Sequence, residues 1–402
     1  MRKRGAGQFK VIGAGGLKLI PVLALAGCVP QPQVNLAPAQ PLARSLPRPA
    51  APIHLAAMQP RAPAPEPAPQ QLRDAHEAAL AQRALAARIT ELGRDFPGEV
   101  GIAVRDVQSG WTTSWNGEKF FPQQSVSKFW VAINVMERVD EGQLDLGDPV
   151  TVRQQDLTLF HQPIRQLIGS NGYRTTYGDL LNRALTQSDN TANDMLLRRS
   201  GGPEAVRTML AEKRLRGIRF GPGERLLQAG IAGLTWSDSY SLGDRFYTAR
   251  AGVSAGRRRE AFESYVADPV DGATPIGLVS GLARLHRGEL LSAESTRRLT
   301  ETMSNTRTGR QRLRGGLAPG WRLAHKTGTG QVLNGTQAGY NDIGILISPE
   351  GRAYAVAVMI GRTSAPLPRR MEMMQDVTRA TTAYHEALRG TGFTTIPQRT
   401  YR

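Results

Sequence analysis

Ser125-Val126-Ser127-Lys128 opens a stretch, running to Val139, whose apolar spacing predicts a helix. Two further strings follow it in order, Ser188-Asp189-Asn190 and Lys326-Thr327-Gly328. The chain has seven Lys beside 44 Arg, and two of those seven stand in these strings. Together the strings supply a hydroxyl nucleophile, two ammonium groups and an amide. Because three such strings in one order are hard to obtain by chance, we predict a serine nucleophile site.

The elements around these strings predict the fold class. Apolar periodicity predicts helices over residues 74–92, 125–139, 177–199, 274–286 and 371–389. Alternating patterns predict strands over residues 99–105, 111–115, 321–327, 342–347 and 354–360. Strands near both termini with helices between them predict an α+β fold: an antiparallel sheet built from both termini, packed against helices, beside a mostly helical half.

The N-terminal region differs from the rest of the chain. Residues 1–18 carry five basic residues and no acid, and Leu19–Gly27 is a short apolar run. This pattern is typical of a secretory signal, and the run is too short to span a membrane stably. Leu25-Ala26-Gly27-Cys28 also resembles the bacterial lipobox, which implies a lipoprotein signal peptide over residues 1–27 and lipidation of Cys28.

Cys28 is the only cysteine, so a disulfide within the chain is impossible and the thiol is either free or modified. An ordinary signal peptide with an unmodified Cys28 remains the alternative. Residues 28–71, rich in Pro and Ala, are predicted to form a disordered tether. We therefore expect an exported protein on the periplasmic side, lipid-anchored to a membrane, which would be the outer membrane in a Gram-negative host because Val29 follows the cysteine.

The amino-acid composition limits the kinds of partner that we expect the chain to bind. The net charge is +17, but the basic residues form no patch interleaved with aromatic residues, so we predict no nucleic-acid partner. A solvated basic surface is the simpler interpretation, with attraction to anionic lipid or cell wall as the alternative. The six His residues show no ligand spacing, so we predict neither a metal nor a cofactor.

The three strings make chemical sense as one site. With Ser125 at the start of a helix, backbone N–H groups point toward an incoming carbonyl. Lys128 lies one helical turn further on, on the same face of the helix. Lys128 can act as a base only if its pKa is lowered, by burial and by a second ammonium such as Lys326. Ser188 would lie between the two lysines and protonate the leaving nitrogen, and Asn190 would hold a substrate amide.

In these three strings the chain resembles the class A serine β-lactamases, which are relatives of the penicillin-binding proteins. The three strings are the signature set of that family. The resemblance covers residues 72–390 and extends to the stretch before Lys326 and to the loop around Phe160. It implies one hydrolase domain over residues 72–398, a β-lactam substrate and an acyl-enzyme on Ser125.

The resemblance also implies roles for further residues. The backbone N–H groups of Ser125 and Thr329 would form the oxyanion hole, and Phe160 would be an aromatic gate. Arg312, with Thr327, would bind the substrate carboxylate, while Gly328, on an edge-type strand, lets substrate lie close to the backbone.

Glu224 is the predicted activator of the water that cleaves the acyl-enzyme. It follows Ser188 by 36 residues, the separation that the family shows, in the loop-like context Phe220-Gly-Pro-Gly-Glu224. A surface glutamate paired with Arg225 is the alternative. The chain departs from the family by having Gln228 and Asp194 where Asn is usual, and two nearby carboxylates would raise one pKa or change the loop path.

The chain also carries about 30 extra residues, placed at 229–271, which would cover the site or pack on its rim. The sequence thus predicts a class A β-lactamase-like enzyme, expected to be a monomer. Two alternatives stay open: a D,D-peptidase or penicillin-binding protein that acts on peptidoglycan and lacks the deacylating Glu, and a non-catalytic cell-wall-binding lipoprotein.

Overall fold

Apolar segments near both ends of the described chain pair into one antiparallel sheet. The computed structural model describes residues 69–389. The strands in this part of the chain are β1 (Glu99–Asp106), β2 (Thr112–Trp115), β3 (Phe121–Pro122), β4 (Pro149–Val152), β5 (Tyr173–Thr176), β6 (Gly272–Ala273), β7 (Arg322–Thr329), β8 (Val332–Leu333), β9 (Thr336–Ile347) and β10 (Ala353–Thr363). The main sheet has the order β2-β1-β10-β9-β7, with β8 paired to β9. This arrangement confirms the predicted α+β class and places β7 at an edge.

Helices occupy most of the remaining described residues. They are α1 (Pro69–Arg94), α2 (Lys128–Asp140), α3 (Tyr177–Asn182), α4 (Asn190–Arg199), α5 (Gly202–Glu212), α6 (Glu224–Ile231), α7 (Arg245–Gly252), α8 (Ala255–Ala267), α9 (Pro275–His286), α10 (Ala293–Ser304) and α11 (Leu367–Arg389). None of the helices within residues 69–389 is long and apolar enough to cross a membrane.

The two faces of the sheet carry different cores, because successive strand side chains point to opposite faces. On one face, Ile102 and Val104 of β1 pack with α1 and α11. On the other face, the buried core includes Ala103 of β1 and side chains of α2 and α9. Small alanines on that face let α9 lie close to β1 and β10.

Helix α2 runs through the second core. Residues 128–136 are all buried, which is typical of a helix surrounded by other elements. Its start lies against the edge strand β7, since a 3₁₀ turn over Gln124–Ser127 contacts that strand and leads directly into the helix. The fold thereby brings the first and third sequence strings together.

Several predicted elements differ at their ends. Strand β9 begins at Thr336, six residues before the predicted strand, because hydrogen bonding to β10 holds residues of low β-propensity in the sheet. The predicted helix over 177–199 is interrupted between α3 and α4, where Ser188 adopts a left-handed backbone with φ +61°. The segment 229–271 is mainly helical, with its first residues inside α6 and the rest forming α7 and α8.

Most predictions for the N-terminal region concern residues that lie outside the described range, 69–389. The signal peptide, the lipidation of Cys28 and the membrane anchor concern residues before 69 and stay predictions. Helix α1 begins at Pro69, so the last three residues of the predicted 28–71 tether belong to that helix.

Candidate active site

Ser125 and Lys128 lie together at the start of α2. Lys128 Nζ is 2.9 Å from Ser125 Oγ, as expected for side chains one helical turn apart. Ser125 is half-buried, whereas Lys128 is 1% exposed. Burial lowers the pKa of Lys128, against the opposing charges of Glu224, Asp189 and Asp194. The hydroxyl thus faces an amine that loses its proton more easily than a lysine in water.

The hydrogen-bond partners of Lys128 suit both protonation states of its amine. Its Nζ donates to the carbonyl oxygen of Ser188 at 2.9 Å and to Asn190 Oδ1, two groups that only accept. The orientation of the Asn190 amide is fixed, because its Nδ2 donates to Leu159 O at 2.8 Å and to Glu224 Oε1 at 2.9 Å. An ammonium donates to these two acceptors and to Ser125 Oγ, and a neutral amine keeps two N–H groups for the two acceptors and turns its lone pair to the Ser125 hydroxyl.

Ser188 lies between the two lysines. Its Oγ is 2.9 Å from Lys326 Nζ and 3.5 Å from Lys128 Nζ. Burial, followed by the charges of Lys128 and Arg312, lowers the pKa of Lys326 well below its usual range. The structure therefore brings both ammonium-bearing strings to one serine hydroxyl, from which a proton can pass to a leaving group.

Asp189, the middle residue of the second string, has a structural position. One carboxylate oxygen accepts the N–H of Ala192 at 2.9 Å and caps α4, and the other accepts the N–H of Ile164 at 2.7 Å. Helix caps of this kind satisfy N–H groups that the helix leaves unpaired. Asp189 thus holds the loop over residues 157–168 against α4 and keeps Asn190 in place.

The third string lies along the edge strand β7. Thr327 Oγ1 is 2.7 Å from Thr308 Oγ1. At Gly328, an added Cβ would lie 2.4 Å from the carbonyl oxygen of Gln123, so no side chain fits at this position. Glycine is required here by the approach of the segment before Ser125, and its role in binding substrate stays a prediction.

Glu224 begins α6 and points inward. It is 7% exposed, and burial, opposed by Lys128 and reinforced by Asp194, raises its pKa from 4.5 to about 6. Its predicted alternative partner, Arg225, instead donates to the carbonyl oxygens of Gln155 and Leu157. The surface-glutamate interpretation is therefore wrong, and Glu224 is a buried carboxylate within the hydrogen-bond chain Glu224–Asn190–Lys128–Ser125.

The two departures from the family pattern lie beside Glu224. Asp194 Oδ1 accepts the backbone N–H of Glu224 at 3.1 Å, and burial raises the pKa of Asp194. Gln228 contacts the Glu224 carboxylate and also donates from Nε2 to Gln124 Oε1 at 3.0 Å. Of the two predicted alternatives, the raised pKa is present, because the charge of Asp194 contributes to the raised pKa of Glu224, and the changed loop path stays a prediction.

Phe160 and Arg312 lie at the periphery of the candidate site. The Phe160 ring is 37% exposed and lies edge-on to Phe246 of α7, with ring centroids 5.3 Å apart. Arg312 donates to Gly328 O, Asn341 O and Thr329 Oγ1, and stacks over Tyr340. Most of its donors are thus engaged by the strand, while its charge stays next to Thr329.

Comparison with known proteins agrees with this geometry. Residues 84–385 match the profile of a family described as the beta-lactamase enzyme family. The chain belongs to this family. It is 26% identical over 289 residues to beta-lactamase VEB-1 of Pseudomonas aeruginosa, covering 71% of this chain and 85% of that protein.

Solved structures show the same fold. A beta-lactamase from Chitinophaga pinensis DSM 2588 matches with a TM-score of 0.60 and 26% identity, covering 77% of this chain and 99% of that one. The TLA-3 extended-spectrum beta-lactamase matches with a TM-score of 0.63 and 22% identity, covering 76% and 99%. The family, the class A relationship and the hydrolase class predicted from the three strings are confirmed.

Sequence reasoning did not identify a set of buried polar residues around the nucleophile of this β-lactamase-family chain. They are Gln124, Tyr265, Asp271 and Asn341. Only Gln124, adjacent to Ser125, carried a positional signal. The others come from distant segments that meet only in the folded chain. Within residues 69–389, no group of three or more His, Cys, Asp or Glu side chains is arranged to hold a metal.

Replacing Asp194 with asparagine is expected to shift the acid limb of the deacylation rate to lower pH. The introduced amide oxygen can still accept the Glu224 N–H. It carries no negative charge, so it no longer helps burial to raise the pKa of Glu224 to about 6, and the active carboxylate persists at lower pH. Single-turnover hydrolysis measured between pH 4.5 and 8 checks this.

The matched control is Asp145→Asn, an exposed position beyond the far end of α2, which at 13 residues spans about 20 Å. An unshifted Asp194→Asn profile would mean that Asp194 carries no charge that Glu224 senses.

Proposed function

We propose that this chain is a serine β-lactamase that opens the lactam ring through an acyl-enzyme on Ser125 and releases the product with water activated by Glu224. The observation that carries the proposal is the buried Glu224 carboxylate, joined through Asn190 to the Lys128–Ser125 pair. The β-lactamase names of the chain's relatives, VEB-1 among them, support the substrate class.

In the acylation step, Ser125 Oγ attacks the lactam carbonyl carbon while its proton passes to the lone pair of Lys128. The oxyanion is held by backbone N–H groups of Ser125 and Thr329. Collapse of the tetrahedral intermediate breaks the C–N bond, and the nitrogen takes a proton from Ser188 Oγ. Ser188 is then reprotonated from the lysines on either side of it, of which Lys326 is the nearer at 2.9 Å.

In the deacylation step, water attacks the ester carbonyl while Glu224 takes one of its protons. With a pKa of about 6, Glu224 is ionised at neutral pH and still basic enough to accept that proton. The ester C–O bond then breaks, and Ser125 Oγ takes up the proton that Glu224 removed from water, which restores the Glu224 carboxylate. Asn190 holds the carboxylate near the nucleophile by donating to its Oε1 at 2.9 Å.

The second candidate function is a D,D-peptidase or penicillin-binding protein, which shares the three strings. Such proteins lack the deacylating glutamate, so the buried position of Glu224 favours the β-lactamase. A non-catalytic lipoprotein has no support in this geometry, because Ser125, Lys128, Ser188 and Lys326 form one connected hydrogen-bond network.

The test is a time course of the folded domain with a chromogenic cephalosporin. We expect sustained turnover, with loss of all signal in Ser125→Ala. A one-equivalent burst that then stalls in the wild-type protein would favour the penicillin-binding interpretation. No burst at all would reject both enzyme interpretations for this substrate class.

A further inference from the structure

The residue before the nucleophile has an unusual backbone. Gln124 adopts φ +53° and is 2% exposed. A non-glycine side chain is unfavourable in this left-handed region, so the surrounding structure must hold it there. Because Gln124 and Ser125 share a peptide bond, the torsion angles at Gln124 set the direction of the Ser125 N–H.

Three buried residues form a closed ring of hydrogen bonds at this point. The backbone N–H of Gln124 donates to Asp271 Oδ2 at 2.8 Å, and the Tyr265 hydroxyl donates to Asp271 Oδ1 at 3.0 Å. The ring is closed by Gln124 Nε2, which donates to the Tyr265 oxygen at 2.6 Å. One carboxylate and one phenol thus constrain both the backbone and the side chain of Gln124.

The ionisation states agree with this pattern of donors and acceptors. Burial raises the pKa of Asp271 to about 6, so the carboxylate is ionised at neutral pH. Burial, followed by the charge of Asp271, raises the pKa of Tyr265 well above its usual value, so the phenol keeps its proton. Every member of the ring therefore has a donor matched to an acceptor.

The preceding residue is held independently of Tyr265. The carbonyl oxygen of Gln123 accepts from Asn341 Nδ2 of β9 at 3.1 Å, and its side chain donates to the carbonyl oxygens of Arg219 and Asp271. Gln123 is thus held by the sheet and by the Asp271 backbone of the inserted segment, whereas the bonds of the ring hold Gln124 to the Asp271 and Tyr265 side chains of that segment. Tyr265 belongs to α8, within that segment.

We propose that Tyr265 is a positioning residue which, through Gln124, holds the Ser125 N–H in the direction that stabilises the oxyanion during acylation. This inference rests on the proposed role of Ser125 and gives the inserted segment a function in the chemistry. It predicts that removing only the Tyr265 hydroxyl slows acylation while the fold is retained.

The test compares Tyr265→Phe with Tyr354→Phe by stopped-flow acylation. Tyr354 is a matched control, because its buried hydroxyl is also hydrogen-bonded, to His385 Nδ1 at 2.9 Å and to the Arg352 side chain, on the opposite face of the sheet. We expect an acylation rate constant about tenfold lower for Tyr265→Phe, since losing an oxyanion donor entirely costs about 10²–10³-fold. Deacylation should slow by a similar factor in Tyr265→Phe, because its tetrahedral intermediate places the oxyanion in the same hole, and it should stay within about twofold in Tyr354→Phe. Thermal melting should fall by similar amounts in both variants.

A second probe separates this inference from the proposed substrate. An aryl phosphonyl fluoride reacts as Ser125 Oγ displaces fluoride from phosphorus, and mass spectrometry follows the adduct. Adduct formation without cephalosporin turnover would reject the β-lactamase proposal, and the Tyr265 comparison would then be made with the fluoride. A chain that reacts with neither probe would overturn both proposals.

Gln124→Met supplies a second variant, because it keeps the volume of the side chain and removes its amide. If Tyr265 acts through Gln124, the double variant acylates no more slowly than the slower single variant. Acylation at the wild-type rate in Tyr265→Phe would overturn the inference. A loss of deacylation without a loss of acylation would also overturn it, since the effect would then pass through Gln228 to Glu224.

Discussion

A Glu224→Gln variant mixed with a chromogenic cephalosporin is expected to release one equivalent of product in a burst and then stop. Glutamine keeps the oxygen that accepts from Asn190 Nδ2, so the site should keep its shape. The amide cannot take a proton from water, and loss of a general base lowers a rate by about 10²–10⁴-fold. Burst amplitude and the mass of the Ser125 adduct measure this result.

Glu204→Gln is the control, because Glu204 lies in an exposed ion pair with Arg207 on α5. We expect that control to turn over normally. The wild-type deacylation rate should itself fall as the pH drops through about 6, where Glu224 takes up a proton. Steady turnover in Glu224→Gln at the wild-type rate would show that another group activates the water.

The Glu224→Gln variant should also be more stable than the wild type at neutral pH. The pKa of Glu224 is raised on folding from 4.5 to about 6, so the folded state binds the proton more tightly. This carboxylate therefore destabilises the fold above pH 6 by roughly 2 kcal/mol, and the penalty disappears below pH 4.5. Thermal melts at pH 7.5 and pH 4.5 should show a gain for Glu224→Gln only at the higher pH.

Replacing Lys128 with alanine is expected to slow acylation by about 10²–10⁴-fold, the range for loss of a general base. The substitution removes the amine that lies 2.9 Å from Ser125 Oγ, and it leaves Ser188 O without the donor that Lys128 supplies. Because burial lowers the pKa of Lys128, the neutral amine is accessible to the wild-type enzyme. Stopped-flow acylation with the cephalosporin measures the loss.

Lys119→Ala is the matched control, since Lys119 is a half-exposed lysine paired with Glu99. Lys128→Met fills more of the space than alanine does. It therefore shows whether a lower acylation rate is caused by poor packing. Acylation that survives both Lys128 substitutions within about tenfold would assign the first proton transfer to Glu224 acting through water.

Local chemistry made a large part of the site predictable. Spacing of one helical turn is enough to place Lys128 beside Ser125, because helix geometry is the same in any fold. The resemblance to the family pointed to Glu224, because the segment between Ser188 and Glu224 has the length usual in the family. In the fold that segment returns the Glu224 carboxylate to Asn190. The sheet built from both termini followed from the order of strands and helices along the chain.

Other features had no local signal. Asp189 is a carboxylate in a catalytic string, yet its hydrogen bonds to Ala192 and Ile164 give it a capping role. Arg312 Nη1 donates to the carbonyl oxygens of Gly328 and Asn341, contacts that its position in the sequence did not indicate, and its role in binding substrate stays a prediction. Such roles depend on which distant backbone groups lie within hydrogen-bonding distance.

The sequence by itself determined the family, the fold class and the identity of the groups available for chemistry, because these depend on residue type and on spacing along one element. The tertiary structure alone decided the state of those groups. Burial lowered the pKa values of Lys128 and Lys326 and raised that of Glu224. It also brought Tyr265 to the residue before the nucleophile, across 141 positions of sequence. Desolvation and long-range contacts arise only when remote segments pack together, so no local pattern encodes them.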